Sequence, residues 1–153
     1  MLAIPGLMKQ IKIILVDDDD DDYILFKNVL EQHTYNTVLQ KVTDCDGLME
    51  ILDDEKQELP EIIFLDMNLP KKNGLEILRI LKLQDRLRDI IIAIYSTTCI
   101  EKVANHLYEL GANFYITKPV KFADMQRVIE AALGIISDEK VKYVRSKESY
   151  LIL

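Results

Sequence analysis

Apolar residues follow two rhythms along this chain. In "IKIILV" (Ile11–Val16), "EIIFL" (Glu61–Leu65), "IIIAIY" (Ile90–Tyr95) and "NFYIT" (Asn113–Thr117), β-branched and aromatic residues crowd into short runs with polar or turn residues on either side. Such runs predict strands. The second and third are almost continuously apolar, as strands buried on both faces of a parallel sheet are. A weaker run, Thr37–Val42, predicts one more strand. Between the runs, apolar residues recur at spacings of three and four. They predict helices over Asp22–Gln32, Asp46–Asp54, Gly74–Lys82, Ile100–Leu110 and Phe122–Leu133. Gly111 stands where a helix C-cap glycine belongs.

Five such strand–helix units in succession predict a doubly wound α/β fold, a five-stranded parallel sheet with helices on both faces. At 153 residues the chain is one domain by length, with no internal repeat and no low-complexity linker. The expected division is an N-terminal extension at 1–8, the domain at 9–134 and a tail at 135–153. The tail, "DEKVKYVRSKESYLIL" with its mixed charge and apolar end, follows the fifth helix directly. Its role is left open; it abuts the neighbouring face in sequence and so has the position to cover or extend it.

Charge and cysteines narrow the function. A formal net charge of −7 disfavours nucleic acid and anionic membrane surfaces as partners. No apolar run approaches the roughly 18 residues of a membrane span. The leader "MLAIPGLMKQ" has neither a cationic start nor a usable cleavage site, so it does not read as a secretion signal. Cys45 and Cys99 are too few and too isolated for a disulfide framework or a zinc site, and predict reduced thiols in a cytoplasmic protein.

The polar residues that end the strands carry the chemistry. Asp17 and Asp18 follow the first predicted strand, Asp66 the third, Ser96 and Thr97 the fourth, and Lys118 the fifth. In an open α/β sheet the carboxyl edge of the strands is where ligands bind, so these groups are expected to share one crevice. Unpaired, the three acids would raise one another's pKa values. A hard divalent cation relieves that repulsion, and magnesium favours a few carboxylates plus water. Three carboxylates, one such ion and Lys118 cancel formally. A phosphoryl group there would add roughly −2, held by the cation and Lys118 with a hydroxyl donor from Ser96.

Asp17 and Asp18 open a run of six aspartates, Asp17–Asp22. Register from Val16 makes these two the site pair and leaves the other four to start the first helix, where carboxylates cap free N–H groups. Identical residues leave a slip to Asp18 and Asp19 open. A calcium loop starting at Asp17 would need glycine sixth and glutamate twelfth, where Asp22 and Asn28 stand.

In order and spacing, "IILVDD", "IIFLDMNLPKKNG", "IYSTT" and "YITKP" resemble the receiver domain of two-component response regulators, the CheY-like fold, over roughly Lys9–Leu133. The resemblance implies a flavodoxin-like sheet ordered 2-1-3-4-5 and a phosphoacceptor signalling protein rather than an enzyme. It implies Asp66 as phosphoacceptor and a magnesium site of Asp18, Asp66 and the Met67 carbonyl, with Asp17 acting through water. Thr97 would offer its backbone N–H to the phosphoryl group and Lys118 would bridge it to the site. Ser96 and Tyr115 would form the switch, Lys118–Pro119 a cis peptide, and Asn68 and Thr98 would tune dephosphorylation. Pro70 and Gly74 shape the loop after Asp66.

The partners so implied are a histidine kinase or histidine phosphotransfer protein and a downstream protein target. A homodimer stays open. Output is expected through the face of the fourth helix, fifth strand and fifth helix, since the chain leaves no room for a DNA-binding domain. Two other readings compete. In a haloacid-dehalogenase-like phosphohydrolase, Asp17-x-Asp19 with Ser96 and Lys118 would act and Asp66 would have no role. A phosphate-independent pseudo-receiver scaffold would not require the intact Asp, Ser and Lys set.

Overall fold

The computed structural model describes residues 9–138 and 142–152, so the expected extension at 1–8 lies outside the described residues. The chain alternates β1 (Ile11–Val16), α1 (Asp20–Glu31), β2 (Thr37–Val42), α2 (Cys45–Leu52), β3 (Ile62–Asp66), α3 (Gly74–Leu83), β4 (Ile91–Ser96), α4 (Glu101–Glu109), β5 (Phe114–Thr117) and α5 (Phe122–Ser137). Two short elements follow, α6 (Lys147–Tyr150) and β6 (Leu151–Ile152).

All strands pair in parallel in the order β2-β1-β3-β4-β5-β6. The core order is the expected 2-1-3-4-5. The sixth strand is an addition that the sequence did not announce, because two residues are too short to show any alternation.

Side chains of a strand point alternately to the two faces, and the strand residues divide accordingly. Ile14, Val16, Ile63, Leu65, Ile92, Ile94 and Tyr115 pack with α2, α3 and α4 on one face. Ile13, Leu15, Ile62, Phe64, Ala93, Tyr95 and Phe114 pack with α1 and α5 on the other. β3 is buried at every residue, the physical reason for its unbroken apolar run.

Local signals explain most element ends. Asp19 caps α1 by accepting the N–H groups of Asp21 and Asp22, so the helix starts two residues before the apolar spacing alone suggests. Asn73 caps α3 through the Glu76 amide. Gly111, with φ of +110°, closes the end of α4 as expected. Helix α5 runs past Leu133 because Ile135 and Ile136 still find apolar cover. Among the described residues no helix is long and apolar enough to cross a membrane.

Candidate functional site

Register assembles the site. Val16 lies opposite Leu65, Asp66 opposite Tyr95, and Ser96 opposite Thr117. The residues that follow, Asp17 after β1 and Lys118 after β5, therefore reach the same carboxyl edge as Asp66 and Ser96.

The carboxylates of Asp17, Asp18 and Asp66 offer oxygens within 4.8 Å of one another. Asp17 is fully buried, Asp66 is buried and Asp18 is exposed. Into this group projects the ammonium of Lys118, with a side chain only 8% exposed. It donates to Asp17 Oδ2 at 2.8 Å, Asp22 Oδ2 at 2.7 Å and Asp66 Oδ2 at 3.1 Å. An ammonium has three N–H donors, so these bonds use all of them. It also lies 5.1 Å from the Tyr95 ring centroid.

Burial pushes the Asp17 carboxyl up to about 6, and the ion pair with Lys118 and the Asp19 amide act against it. Burial would depress the Lys118 ammonium, but its bonds to Asp17, Asp22 and Asp66 outweigh that and hold it above its ordinary value.

The six aspartates take separate tasks. Asp17 and Asp18 join the cluster with Asp66, and Asp17 Oδ1 also accepts the Asp19 amide at 2.9 Å. Asp19 is the helix cap, so its carboxylate serves the backbone. Asp20 pairs with Lys41 and Asp21 is exposed. Asp22, assigned to the helix start by sequence alone, also reaches Lys118. The available signal is positional. With the helix starting at Asp20, Asp22 is the third residue of the first turn, and its side chain leans back over the turn toward the site.

The loop after Asp66 is tight. Asp66 Oδ1 accepts the Asn68 amide at 3.0 Å, and the Met67 carbonyl accepts the Gly74 amide at 3.2 Å. That bond leaves Met67 one lone pair. A Cβ at position 74 would lie 2.7 Å from the Asp66 carbonyl oxygen, so this position needs glycine. Lys71 adopts φ of +65° in the same loop, beside Pro70, whose carbonyl accepts the Lys72 amide.

Ser96 is buried, its carbonyl accepts the Lys118 amide at 2.6 Å, and its hydroxyl accepts the Thr98 amide at 3.4 Å. Thr97 is exposed at the strand end. Tyr115 is buried, and its hydroxyl donates to the Thr98 carbonyl at 2.5 Å. Burial raises the Tyr115 hydroxyl, and the Ser96 hydroxyl beside it works in the opposite sense.

One expectation is corrected. The Lys118–Pro119 bond is trans, as are all peptide bonds among the described residues. Trans is the favoured form of such a bond by about 0.5–1 kcal/mol, and with it Lys118 already meets three carboxylates, so the site does not require the other isomer.

The donor set suits a hard divalent cation. Its side-chain donors are carboxylates, with Asp18 exposed to water, and include neither thiolate nor imidazole.

Residues 13–130 match the response regulator receiver domain family, and the chain belongs to it. It is 32% identical to response regulator Rcp1 of Synechocystis sp. over 122 residues, covering 77% of this chain and 83% of Rcp1. The polar-differentiation response regulator DivK of Brucella anthropi is 28% identical over 122 residues, covering 80% and 95%. Among solved structures, the manganese-bound form of Rcp1 superposes with a TM-score of 0.75 at 29% identity, covering 87% of this chain and 98% of that one. The phosphorylated cyanobacterial phytochrome response regulator RcpA gives 0.77 at 28% identity, covering 88% and 98%.

Proposed function

We propose that this chain is a stand-alone receiver that accepts a phosphoryl group on Asp66 from a phosphohistidine, and passes the signal on through a protein surface. The observation that carries this reading is Lys118, whose ammonium joins Asp66 to Asp17 at the carboxyl edge, with Ser96 one residue beyond the β3–β4 pairing. The relative RcpA was solved phosphorylated and Rcp1 with manganese, which supports the same chemistry here.

Asp66 is the nucleophile. An oxygen of its carboxylate attacks phosphorus in line, the P–O bond forms as the P–N bond breaks, and the histidine departs with its electron pair. Asp18, Asp66 and Asp17 would hold magnesium, with the remaining lone pair of the Met67 carbonyl as a further donor, and the bound ion neutralises charge on the phosphoryl oxygens. Lys118 turns from a carboxylate to a phosphoryl oxygen, Ser96 donates its hydroxyl, and Thr97 donates its backbone N–H. Asn68 and Thr98 flank the crevice and govern water's access to phosphorus. The donor is a histidine kinase or phosphotransfer protein, the location is cytoplasmic, and the recipient is a downstream protein. Residues 9–134 form the receiver proper.

The test is mass spectrometry after incubation with acetyl phosphate and magnesium. One phosphoryl group is expected on the wild type, and none on Asp66→Asn or in excess chelator. Equal labelling of Asp66→Asn would overturn the assignment.

A further inference from the structure

Residues 143–152 seat on α4 and β5. Tyr143 starts the path, its ring 5.5 Å from that of Phe114. Arg145 then closes the end of α4. Its guanidinium lies 4.1 Å from the Tyr108 ring centroid, and Nη1 donates to the Tyr108 carbonyl at 2.6 Å. That carbonyl also accepts the Gly111 amide at 3.0 Å, so Arg145 takes its second lone pair and ties the segment to the C-terminal turn of α4. Tyr150 is 4% exposed and its hydroxyl donates to the Ala104 carbonyl at 2.7 Å. Leu151 and Ile152 pair in parallel with Tyr115 and Ile116. The segment is thus bound as a ligand is, by an aromatic anchor, a cation over a ring and a short strand.

This seat is joined to the phosphoacceptor edge. The Tyr150 ring packs against Tyr115 with centroids 6.3 Å apart. The Tyr115 hydroxyl is bonded to the carbonyl of Thr98, and the amide of the same residue is bonded to the Ser96 hydroxyl. Ser96 and Tyr115 therefore share one residue, and the Tyr150 ring stands against Tyr115. With Tyr150 in place, Tyr115 keeps its hydroxyl turned inward. If the segment leaves, the space beside Tyr115 opens and the ring can swing outward.

We propose that the α4–β5 face is a docking surface whose occupant is the chain's own segment 145–152, and that a phosphoryl group on Asp66 tightens this docking. The inference rests on the phosphoacceptor reading above. A phosphoryl group that draws the Ser96 hydroxyl inward favours the inward Tyr115, and the docked Tyr150 favours it too. Two ligands that prefer the same state strengthen each other's binding by the same factor. The unphosphorylated protein accordingly releases the segment more often, baring Ala104, Leu107, Tyr108 and the edge of β5 for a partner. This device hides the face when the site is charged.

The full-length protein with saturating magnesium is compared with and without beryllofluoride, a mimic of the phosphoryl group. Fluorine resonance reports occupancy and hydrogen exchange reports the segment. Exchange of the Leu151 and Ile152 amides is expected to slow about fivefold or more on occupancy. Occupancy with unchanged or faster exchange overturns the proposal. If no beryllofluoride binds, the phosphoacceptor reading falls and this inference with it. The reciprocal arm uses full-length Tyr150→Ala and Tyr150→Phe. Beryllofluoride affinity is expected to fall for the first by the factor seen in exchange, and by less for the second, which keeps the ring and loses only the bond to Ala104. Wild-type affinity in both variants overturns the coupling, and the wild-type exchange arm stands without either variant.

Discussion

Asp22 and Asp17 hold the same ammonium, that of Lys118, at 2.7 and 2.8 Å. The second bond joins two buried groups, whereas the Asp22 side chain is 28% exposed. With Asp22 included, a divalent cation and one lysine no longer balance the carboxylates, and the site keeps one surplus negative charge.

That surplus would oppose a phosphoryl group, with which Asp22 would compete for a Lys118 donor. Asp22→Asn is expected to bind beryllofluoride several-fold more tightly, a change of about 1 kcal/mol once solvent screening of the exposed carboxylate is allowed for. Titration followed by fluorine resonance measures it. Equal or weaker binding would show that Asp22 merely orients Lys118.

Asp17 sets a pH dependence. Its folded pKa of about 6 lies above the ordinary 3.8, so the folded chain keeps a proton that the unfolded chain has already lost. From this group, metal-free stability should fall as pH rises from about 4 to about 6, by on the order of 2–3 kcal/mol, and then level off. Urea melts in chelator at pH 5 and pH 7 test this, and Asp17→Asn should flatten the difference. Magnesium held with the help of Asp17 would compete with that proton, so its affinity should drop as pH falls through about 6.

Within the aspartate run, Asp18→Ala should weaken magnesium binding tenfold or more, whereas Asp20→Ala should change it less than about threefold, because Asp20 pairs with Lys41 outside the cluster. Calorimetric titration of both variants gives the order. The reverse order would place the cation elsewhere.

Gly74→Ala should destabilise the fold by about 1–3 kcal/mol, since its Cβ would meet the Asp66 backbone at 2.7 Å and the loop has to move. Because Asp66 moves with that loop, magnesium affinity should fall in the same variant. A variant with wild-type melting and wild-type affinity would refute the close-packing argument.

The sequence by itself determined the alternation of strand and helix, the two-faced sheet and the edge on which the polar residues gather. These follow from local spacing. β1 and β2 have the limits their residue pattern predicts, and Asp66, Ser96 and Lys118 are legible because each directly follows or closes an apolar run. Other features depend on contacts between residues far apart in the chain. Six identical aspartates look alike until the N–H groups of Asp21 and Asp22 select Asp19 as cap and Lys118, 96 residues away, selects Asp22. The isomer before Pro119 turned on a difference of only about 0.5–1 kcal/mol, too small for a local pattern to decide. The segment around Tyr150 has neither period nor length to predict β6. It becomes a strand because β5 offers an unpaired edge, and Tyr150 is buried because α4 and Tyr115 leave a slot beside that edge. Such an edge and slot exist only once the sheet has formed, so tertiary structure alone could place this segment.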